Sequence, residues 1–160
     1  MNHKAFTIVE ILIVVALLAI VGMMAVPMMS SAASIQIGSA ANMIAADLEY
    51  AKSMAISRGQ YYSVVFAPDS DSYQIFKDQG GTLEPISHPV KKGFPYTVNF
   101  QNDSRLNKVK ILSADFGGSE TVTFDYLGSP DDGGSVSLQA AGISKTIRVE
   151  PVTGYISIGN

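Results

Sequence analysis

Cysteine is absent from the 160-residue chain, and only 16% of its residues are charged. Without disulfides an exported domain must hold together through its core alone, and without thiolates a transition-metal cluster is hard to build. Charge is missing completely from residues 11–46. The formal net charge of −3 gives no indication of a basic nucleic-acid-binding domain. The hydrophobic content of 47% is nevertheless too high for a disordered chain, so a folded domain with an apolar appendage is expected.

Residues 11–26 are almost wholly aliphatic, and with the next three residues the run approaches the roughly 20 residues that a bilayer requires. A cleaved signal peptide is one alternative, because the small residues Ser31, Ala32 and Ala33 resemble a cleavage site, although its apolar core usually spans only about 7–15 residues. A plain membrane anchor is another, with Lys4 on the cytoplasmic side.

Glu10 stands at the start of this apolar run, with aliphatic residues on both sides. A carboxylate costs about 2.5–3.5 kcal/mol at mid-bilayer and less near the interface, so it usually has a partner. The simplest interpretation is a carboxylate that lies in the headgroup layer. Neither a signal peptide nor a plain anchor explains its presence.

Residues 4–15 resemble the processing site of type IV pilins and type II secretion pseudopilins; they read KAFTIVEILIVV. In that family a short basic leader is cut before a Phe, and the new amine is methylated. The resemblance implies that a prepilin peptidase cuts between Ala5 and Phe6, where the family usually has Gly in place of Ala5. Glu10 then falls fifth in the mature chain, where the family carries a glutamate. Pro27, about six helical turns after Phe6, lies where pilins often carry a helix-kinking proline.

The resemblance also implies a role for Glu10 in assembly. As a fibre forms, its carboxylate pairs with the cationic amine of a neighbouring subunit's Phe6. Loss of one partner of such a desolvated pair leaves an uncompensated charge. Glu10 is therefore expected to set the register of assembly and not to act as a catalytic acid.

After Pro27 the periodicity predicts an amphipathic helix. Apolar residues recur at spacings of four and three along one face, which is expected to lie on the protein's own sheet: Ile37, Ala41, Ile44, Leu48, Ala51 and Ala55. Four charged residues lie off this stripe: Asp47, Glu49, Lys52 and Arg58. Gly59 fits a C-terminal cap. One helix is therefore expected over residues 7–57.

From residue 61 the pattern changes to short β-branched or alternating runs between turn residues. Eight strands are predicted, at residues 61–67, 72–77, 96–100, 108–112, 121–126, 136–139, 145–149 and 155–158. Such strands favour antiparallel sheets in a sandwich-like arrangement. The expected fold class is α+β, with a long N-terminal helix whose first half is transmembrane, packed on an antiparallel β-sheet or sandwich head as in pilins.

Within the pilin group, the head resembles the GspH/FimT family of minor pseudopilins and minor pilins. The matching stretches are residues 46–59, 122–130 and 147–158. The resemblance implies a structural subunit of a type II secretion pseudopilus that serves protein secretion. A FimT-like minor pilin of a type IV pilus is the alternative. A plain membrane-anchored periplasmic domain is a third, and it predicts no cleavage after Ala5.

The implied chain has four parts: a leader (1–5), a transmembrane helix with the methylation motif (6–29), the amphipathic half of the helix (30–59) and the head (60–160). The implied partners are other pilin or pseudopilin subunits, prepilin peptidase, an inner-membrane assembly platform and membrane lipid. The subunit is expected to cross the bacterial inner membrane once, with its head in the periplasm, before it enters the fibre. No cofactor is implied.

Acidic turns and isolated histidines are the remaining candidates for chemistry. Asp69 and Asp71 resemble the start of a calcium loop, but the required glycine and distal glutamate are missing, so a solvated turn is predicted. Residues 131–133 are interpreted in the same way. His3 and His88 are isolated, and no nucleophile motif or phosphate-binding loop occurs. The sequence therefore predicts no metal site and no enzymatic activity.

DNA binding is the last function considered. FimT-type members that resemble DNA-uptake proteins carry arginines after the glycine of the C-terminal strand region, and residues 154–157 contain none. Basic residues elsewhere form a loose cluster that offers phosphate contacts: Lys91, Lys92, Arg105, Lys108 and Lys110. A solvated face is the favoured interpretation of this cluster, and a DNA or partner contact is the alternative.

Overall fold

A long helix leads into two antiparallel sheets. The computed structural model describes residues 7–159, except for the side chains of residues 23–31. Helix α1 covers Ile8–Arg58, within one residue of the predicted bounds. Contacts divide the chain into two compact units, Met1–Ala32 and Ala33–Asn160, and α1 contributes residues to both.

The C-terminal end of α1 is closed by the predicted glycine cap. Gly59 has a φ of +62°, and the amide N of Gln60 donates to the carbonyl O of Ala55 at 3.2 Å. This bond, from the second residue past the helix back to its last turn, satisfies a carbonyl that would otherwise lack a partner. Arg58 lies in the last turn, where a cation interacts favourably with the helix dipole.

Nine strands follow the helix in the part of the chain that the structure describes: β1 (Tyr61–Ala67), β2 (Ser72–Asp78), β3 (Leu83–Pro85), β4 (Thr97–Asn99), β5 (Lys110–Phe116), β6 (Thr121–Phe124), β7 (Gly134–Ala140), β8 (Ile143–Val149) and β9 (Ile156–Gly159). The first sheet has the order β3-β2-β1-β6, and β4 also pairs with β2. The second has the order β5-β7-β8-β9. All pairs are antiparallel, as predicted.

The differences from the predicted strands have local causes. Strand β3 was not predicted, because it has only three residues and one of them is Pro85, which carries no amide hydrogen. Phe100, predicted to end a strand, instead begins a short 3-10 helix that Asn99 caps through its side chain. Strand β5 continues four residues beyond the predicted end, and its pairing with β7 shifts register between Ile111 and Ser113.

The stripe on α1 is the helix contribution to one hydrophobic core. All six of its predicted residues are fully buried, and Ala33 and Ala40 extend the same face. Both sheets contribute to this core, and the Phe66 and Phe116 rings stack between them with centroids 5.9 Å apart. Five alanines along this face leave little side chain between helix and sheet, so the helix backbone can approach closely.

Candidate assembly interface

The first described turns of α1 expose apolar side chains on every face. Eleven large aliphatic residues between Ile8 and Val21 are each 50–78% exposed. A helix that is apolar all round is stable only when lipid or other protein covers it. None of the helical stretches that the structure describes combines the length and the apolarity needed to cross a membrane.

Glu10 lies in the first turn of this exposed segment. Its amide N donates to Thr7 Oγ1 at 3.3 Å and to the Thr7 carbonyl O at 3.1 Å, so Thr7 caps the helix. A carboxylate at this position also interacts favourably with the helix dipole. The Glu10 side chain is exposed and makes no ion pair among the residues that the structure describes.

Three of the predicted site residues lie wholly or partly outside the described structure. Ala5 and Phe6, together with the rest of the predicted leader, lie outside the described residues. Pro27 lies within α1, but its side chain belongs to the stretch 23–31 that is not described. The processing site and the proline remain predictions.

Two glycine turns hold the C-terminal end of α1 against the sheets. Gly154 has a φ of +58°, and a methyl group built on it would lie 2.6 Å from the carbonyl O of Gly128. Lys52 reaches the same place: its Nζ donates to the Gly154 carbonyl O at 3.0 Å and pairs with Glu49 at 2.8 Å. The three stretches that resemble the GspH/FimT family therefore meet at one contact.

A buried carboxylate forms a second tie between helix and head. Asp47 lies beside the apolar stripe, yet it is only 8% exposed. Its two carboxylate oxygens accept hydrogen bonds from Tyr73 Oη at 2.6 Å and Tyr96 Oη at 2.7 Å. Burial raises the pKa of Asp47 above its ordinary value, against the lowering effect of the two tyrosine bonds. The Tyr96 ring stacks on the His88 ring, with centroids 4.7 Å apart.

The acidic turns act as caps for the main chain. Asp71 Oδ1 accepts from the Ile111 amide at 2.9 Å and its Oδ2 from Gln101 Nε2 at 2.8 Å, so the predicted solvated turn is only partly correct. Asp131 Oδ1 accepts from the amides of Thr123 and Asp132, each at 2.9 Å. Among the described side chains, no three potential metal ligands come together.

The five basic residues of the predicted cluster lie on exposed surface, four of them in two connections and one at the start of a strand. Lys91 and Lys92 lie between β3 and β4, whereas Arg105 and Lys108 lie between β4 and β5 and Lys110 begins β5. Arg105 binds the Asp103 carboxylate through two nitrogens, at 3.0 and 2.7 Å. These hydrogen bonds lower the pKa of Asp103 to about 2.

An N-terminal helix with an exposed apolar start, joined to a head of two antiparallel sheets, defines a pilin-like subunit, the class of protein that assembles with others of its kind. The family model described as type II transport protein GspH matches residues 40–153, and the prokaryotic N-terminal methylation motif matches residues 1–26. The chain belongs to this GspH family of type II transport proteins.

Solved structures show the same fold at low sequence identity. The minor pseudopilin EpsH from the type 2 secretion system of Vibrio cholerae matches with a TM-score of 0.60 and 10% identity, over 77% of this chain and 95% of EpsH. The type IV minor pilin FimU of Pseudomonas aeruginosa matches with a TM-score of 0.53 and 19% identity, over 77% of this chain and 92% of FimU. A search of curated protein sequences gives no match.

Proposed function

We propose that the chain is a non-catalytic minor subunit of a type II secretion pseudopilus, stored in the bacterial inner membrane with its head in the periplasm. A prepilin peptidase cuts between Ala5 and Phe6, and an inner-membrane assembly platform moves the mature subunit into the fibre. The observation that carries this proposal is the exposed apolar start of α1, which residues 33–160 do not need for their own core.

Lipid and neighbouring helices are the two environments that fit this segment in turn. In the membrane, the aliphatic side chains from Ile8 to Val21 contact acyl chains instead of water. This burial stabilises the inserted segment by about 25 cal/mol per Å² of apolar surface. In the fibre, the same side chains meet equivalent helices. The transfer between two apolar environments costs little, so a local charge pair can decide the register.

Glu10 supplies that pair in our proposal. Its exposed carboxylate is free to meet the amine that cleavage creates on Phe6 of a neighbouring subunit. Within the fibre interior, loss of one partner of a buried pair costs about 3–5 kcal/mol, which is more than a hundredfold in an equilibrium constant. The aliphatic residues around Glu10 provide membrane affinity without it.

Replacement of Glu10 tests this assembly role. The variant Glu10→Ala is expected to reach the membrane fraction at the wild-type level and to fall at least a hundredfold in isolated fibres, measured by quantitative immunoblotting of both fractions. Glu49→Ala, which removes an exposed carboxylate from the same helix, is the matched control and should enter fibres normally. Normal incorporation of Glu10→Ala would contradict the role.

A DNA-binding minor pilin of a type IV pilus is the second candidate, and the fold shared with FimU is compatible with it. The ion pair between Arg105 and Asp103 weighs against it, because a paired arginine offers less to a phosphate. A gel shift with full-length protein in detergent distinguishes the candidates. A salt-sensitive shift that is lost in the variant with Lys91→Ala and Lys92→Ala would favour DNA uptake, and no shift at low salt would argue against it.

A further inference from the structure

Positive charge is concentrated in one stretch of the head. Residues 86–110 contain five of the eleven basic residues and only one of the fourteen acidic residues, so they carry a formal charge of +4. The chain as a whole carries −3, and the remaining residues therefore sum to −7. Such an asymmetry is typical of a surface that meets an anionic partner.

The connection between β3 and β4 presents two of these cations beside two apolar side chains. We term residues 88–94 the basic loop. Val90 and Phe94 are 83% and 67% exposed, and they flank Lys91 and Lys92 in sequence. Exposed apolar side chains next to lysines suit the boundary between lipid headgroups and acyl chains, where apolar burial and attraction to anionic lipid add to each other.

Hydrogen bonds fix the conformation of the basic loop. His88 Nδ1 accepts from the amides of Val90 and Lys91, each at 3.1 Å. The His88 amide donates to the Phe94 carbonyl O at 2.8 Å, which closes the loop. Because the loop is ordered before any contact, it loses little conformational freedom when it binds.

The connection between β4 and β5 lies beside the basic loop. Arg105 pairs with Asp103 at 2.7 Å, and the charge of Lys91 adds to the lowering of the Asp103 pKa. Such an effect requires that the two charges lie near each other. Arg105 already compensates Asp103, whereas three exposed lysines make no ion pair among the described residues: Lys91, Lys92 and Lys108.

A contact with α1 locates these cations on the head. The Lys108 amide donates to Gln36 Oε1 at 3.3 Å. Gln36 lies three residues after Ala33, the first residue of the head unit. The cations therefore lie at the end of the head where α1 enters it. The predicted membrane segment, residues 6–29, ends seven residues before Gln36, which is about 10 Å along an α-helix.

This position favours a lipid surface over a nucleic acid as the anionic partner. A surface to which the chain is already tethered acts at a high effective concentration, so weak attractions are sufficient. Each lysine near an anionic bilayer contributes about fivefold to the contact. A nucleic acid has no such tether and must approach a chain of net charge −3. The aliphatic Val90 also offers no ring on which a base could stack.

We propose that the basic loop and Lys108 bind the anionic headgroups of the bilayer in which the chain is stored, with Val90 and Phe94 in the interfacial layer. This inference rests on the proposed function, since it requires the chain to be held in a membrane. The stored subunit then has two attachments, the apolar start of α1 and the basic loop. The second attachment must be released when the subunit leaves the bilayer.

A single tryptophan tests the contact directly, because the chain contains none. The full-length variant Phe94→Trp is reconstituted into vesicles of phosphatidylglycerol and phosphatidylcholine with brominated acyl chains, which quench tryptophan fluorescence on contact. Tyr155→Trp is the matched control, because Tyr155 is 63% exposed and adjoins Gly154, which binds Lys52, sixteen residues beyond Gln36 on α1. We expect at least threefold stronger quenching at position 94. Equal quenching at the two positions would overturn the inference.

Removal of charge tests the headgroup contact. In the Phe94→Trp chain, Lys91→Ala combined with Lys92→Ala is expected to weaken the contact about 25-fold and to remove most of the quenching. Lys77→Ala combined with Arg148→Ala removes the same charge elsewhere on the head and should preserve the quenching. Vesicles of phosphatidylcholine alone should give little quenching at position 94. Quenching that survives the lysine substitutions, or that is equal in the neutral vesicles, would overturn the inference.

Flotation of the vesicles in a density gradient distinguishes failure of this inference from failure of the proposed function. A chain that floats with the vesicles but is not quenched at position 94 would overturn the inference while the proposed function stands. A gel shift with DNA that requires Lys91 and Lys92, without quenching by lipid, would assign the basic loop to nucleic acid and overturn the inference. A chain that does not float would contradict the proposed function, and this inference with it.

Discussion

Asp47 shows how a single polar side chain can join the helix to the sheet. Its carboxylate lies in the core between the hydroxyl groups of Tyr73 on β2 and Tyr96 just before β4. Burial of a charge is unfavourable unless hydrogen bonds compensate for it, and each bond to a charged group contributes about 1.5–3 kcal/mol. The pair of tyrosines therefore specifies how α1 is oriented on the first sheet.

Removal of this carboxylate should destabilise the head strongly. We expect Asp47→Ala to lower the free energy of unfolding by about 3–5 kcal/mol, because both tyrosine hydroxyls lose their acceptor in a buried place. Asp47→Asn keeps one acceptor oxygen and should cost about 1–2 kcal/mol. Denaturant titration of the full-length chain in detergent measures both. Equal losses in Asp47→Ala and in the exposed control Glu49→Ala would contradict this account.

The raised pKa of Asp47 also predicts a pH dependence. Because the folded-state pKa lies above 3.8, the folded protein binds more protons than the unfolded chain between the two values. The contribution of Asp47 to stability is therefore full below the unfolded pKa and falls as the pH rises through the folded pKa. Asp47→Asn should lack this fall when denaturant titrations are compared at several pH values. An identical pH profile for both proteins would contradict the burial effect.

Val152 has a φ of +68°, in the left-handed region, and offers a test of backbone strain at the residue scale. A non-glycine residue in the left-handed region costs about 1–2 kcal/mol. Replacement by glycine removes this strain, but glycine is more flexible in the unfolded chain, and this offsets part of the stability gained. We expect Val152→Gly to raise the free energy of unfolding by up to about 1 kcal/mol, whereas Val152→Ala retains strain and should change it less. A destabilising Val152→Gly would show that the turn is not strained.

At the scale of elements, the contact between two turns fixes the end of α1. Gly154 and Gly59 share nearly the same φ, +58° and +62°, but only a methyl group on Gly154 would meet backbone, the Gly128 carbonyl O at 2.6 Å. The two glycines therefore separate the effect of the backbone angle from the effect of close approach.

Alanine at these two positions should give different losses. Gly59→Ala is expected to lower the free energy of unfolding by about 1 kcal/mol, the cost of a left-handed residue. Gly154→Ala should cost about 2 kcal/mol more, because the turn must move away from Gly128 and from Lys52. Thermal unfolding followed by circular dichroism measures the difference. Equal losses of stability in the two variants would mean that the close approach of Gly154 to Gly128 does not contribute to the free energy of unfolding.

The sequence predicted those elements in which apolar residues recur at a regular spacing over a short stretch of chain. The α1 stripe from Ile37 to Ala55 was confirmed because a 3.6-residue period needs no knowledge of the partner surface. The burial of Asp47 was not predicted, since its acceptor role depends on tyrosines that lie 26 and 49 residues away in sequence.

At the scale of the whole molecule, the chain combines a self-sufficient head with an apolar segment that requires a partner. The head has its own core within residues 33–160, and the segment from Ile8 to Val21 has no cover in the described part of its unit. Such a division fits a subunit that is stored in one apolar environment and used in another. The family match and the pilin-like fold support this interpretation.

The most direct test is the mass of the N-terminal peptide of the chain purified from native fibres. The account predicts a peptide that begins at Phe6 and carries a methyl group on its amine, so that the amine is available to pair with Glu10 of a neighbour. A peptide that begins at Met1, from cells with an active prepilin peptidase, would indicate a plain anchored domain. A peptide that begins near Ser34 would indicate an ordinary signal peptide and would contradict the role of Glu10.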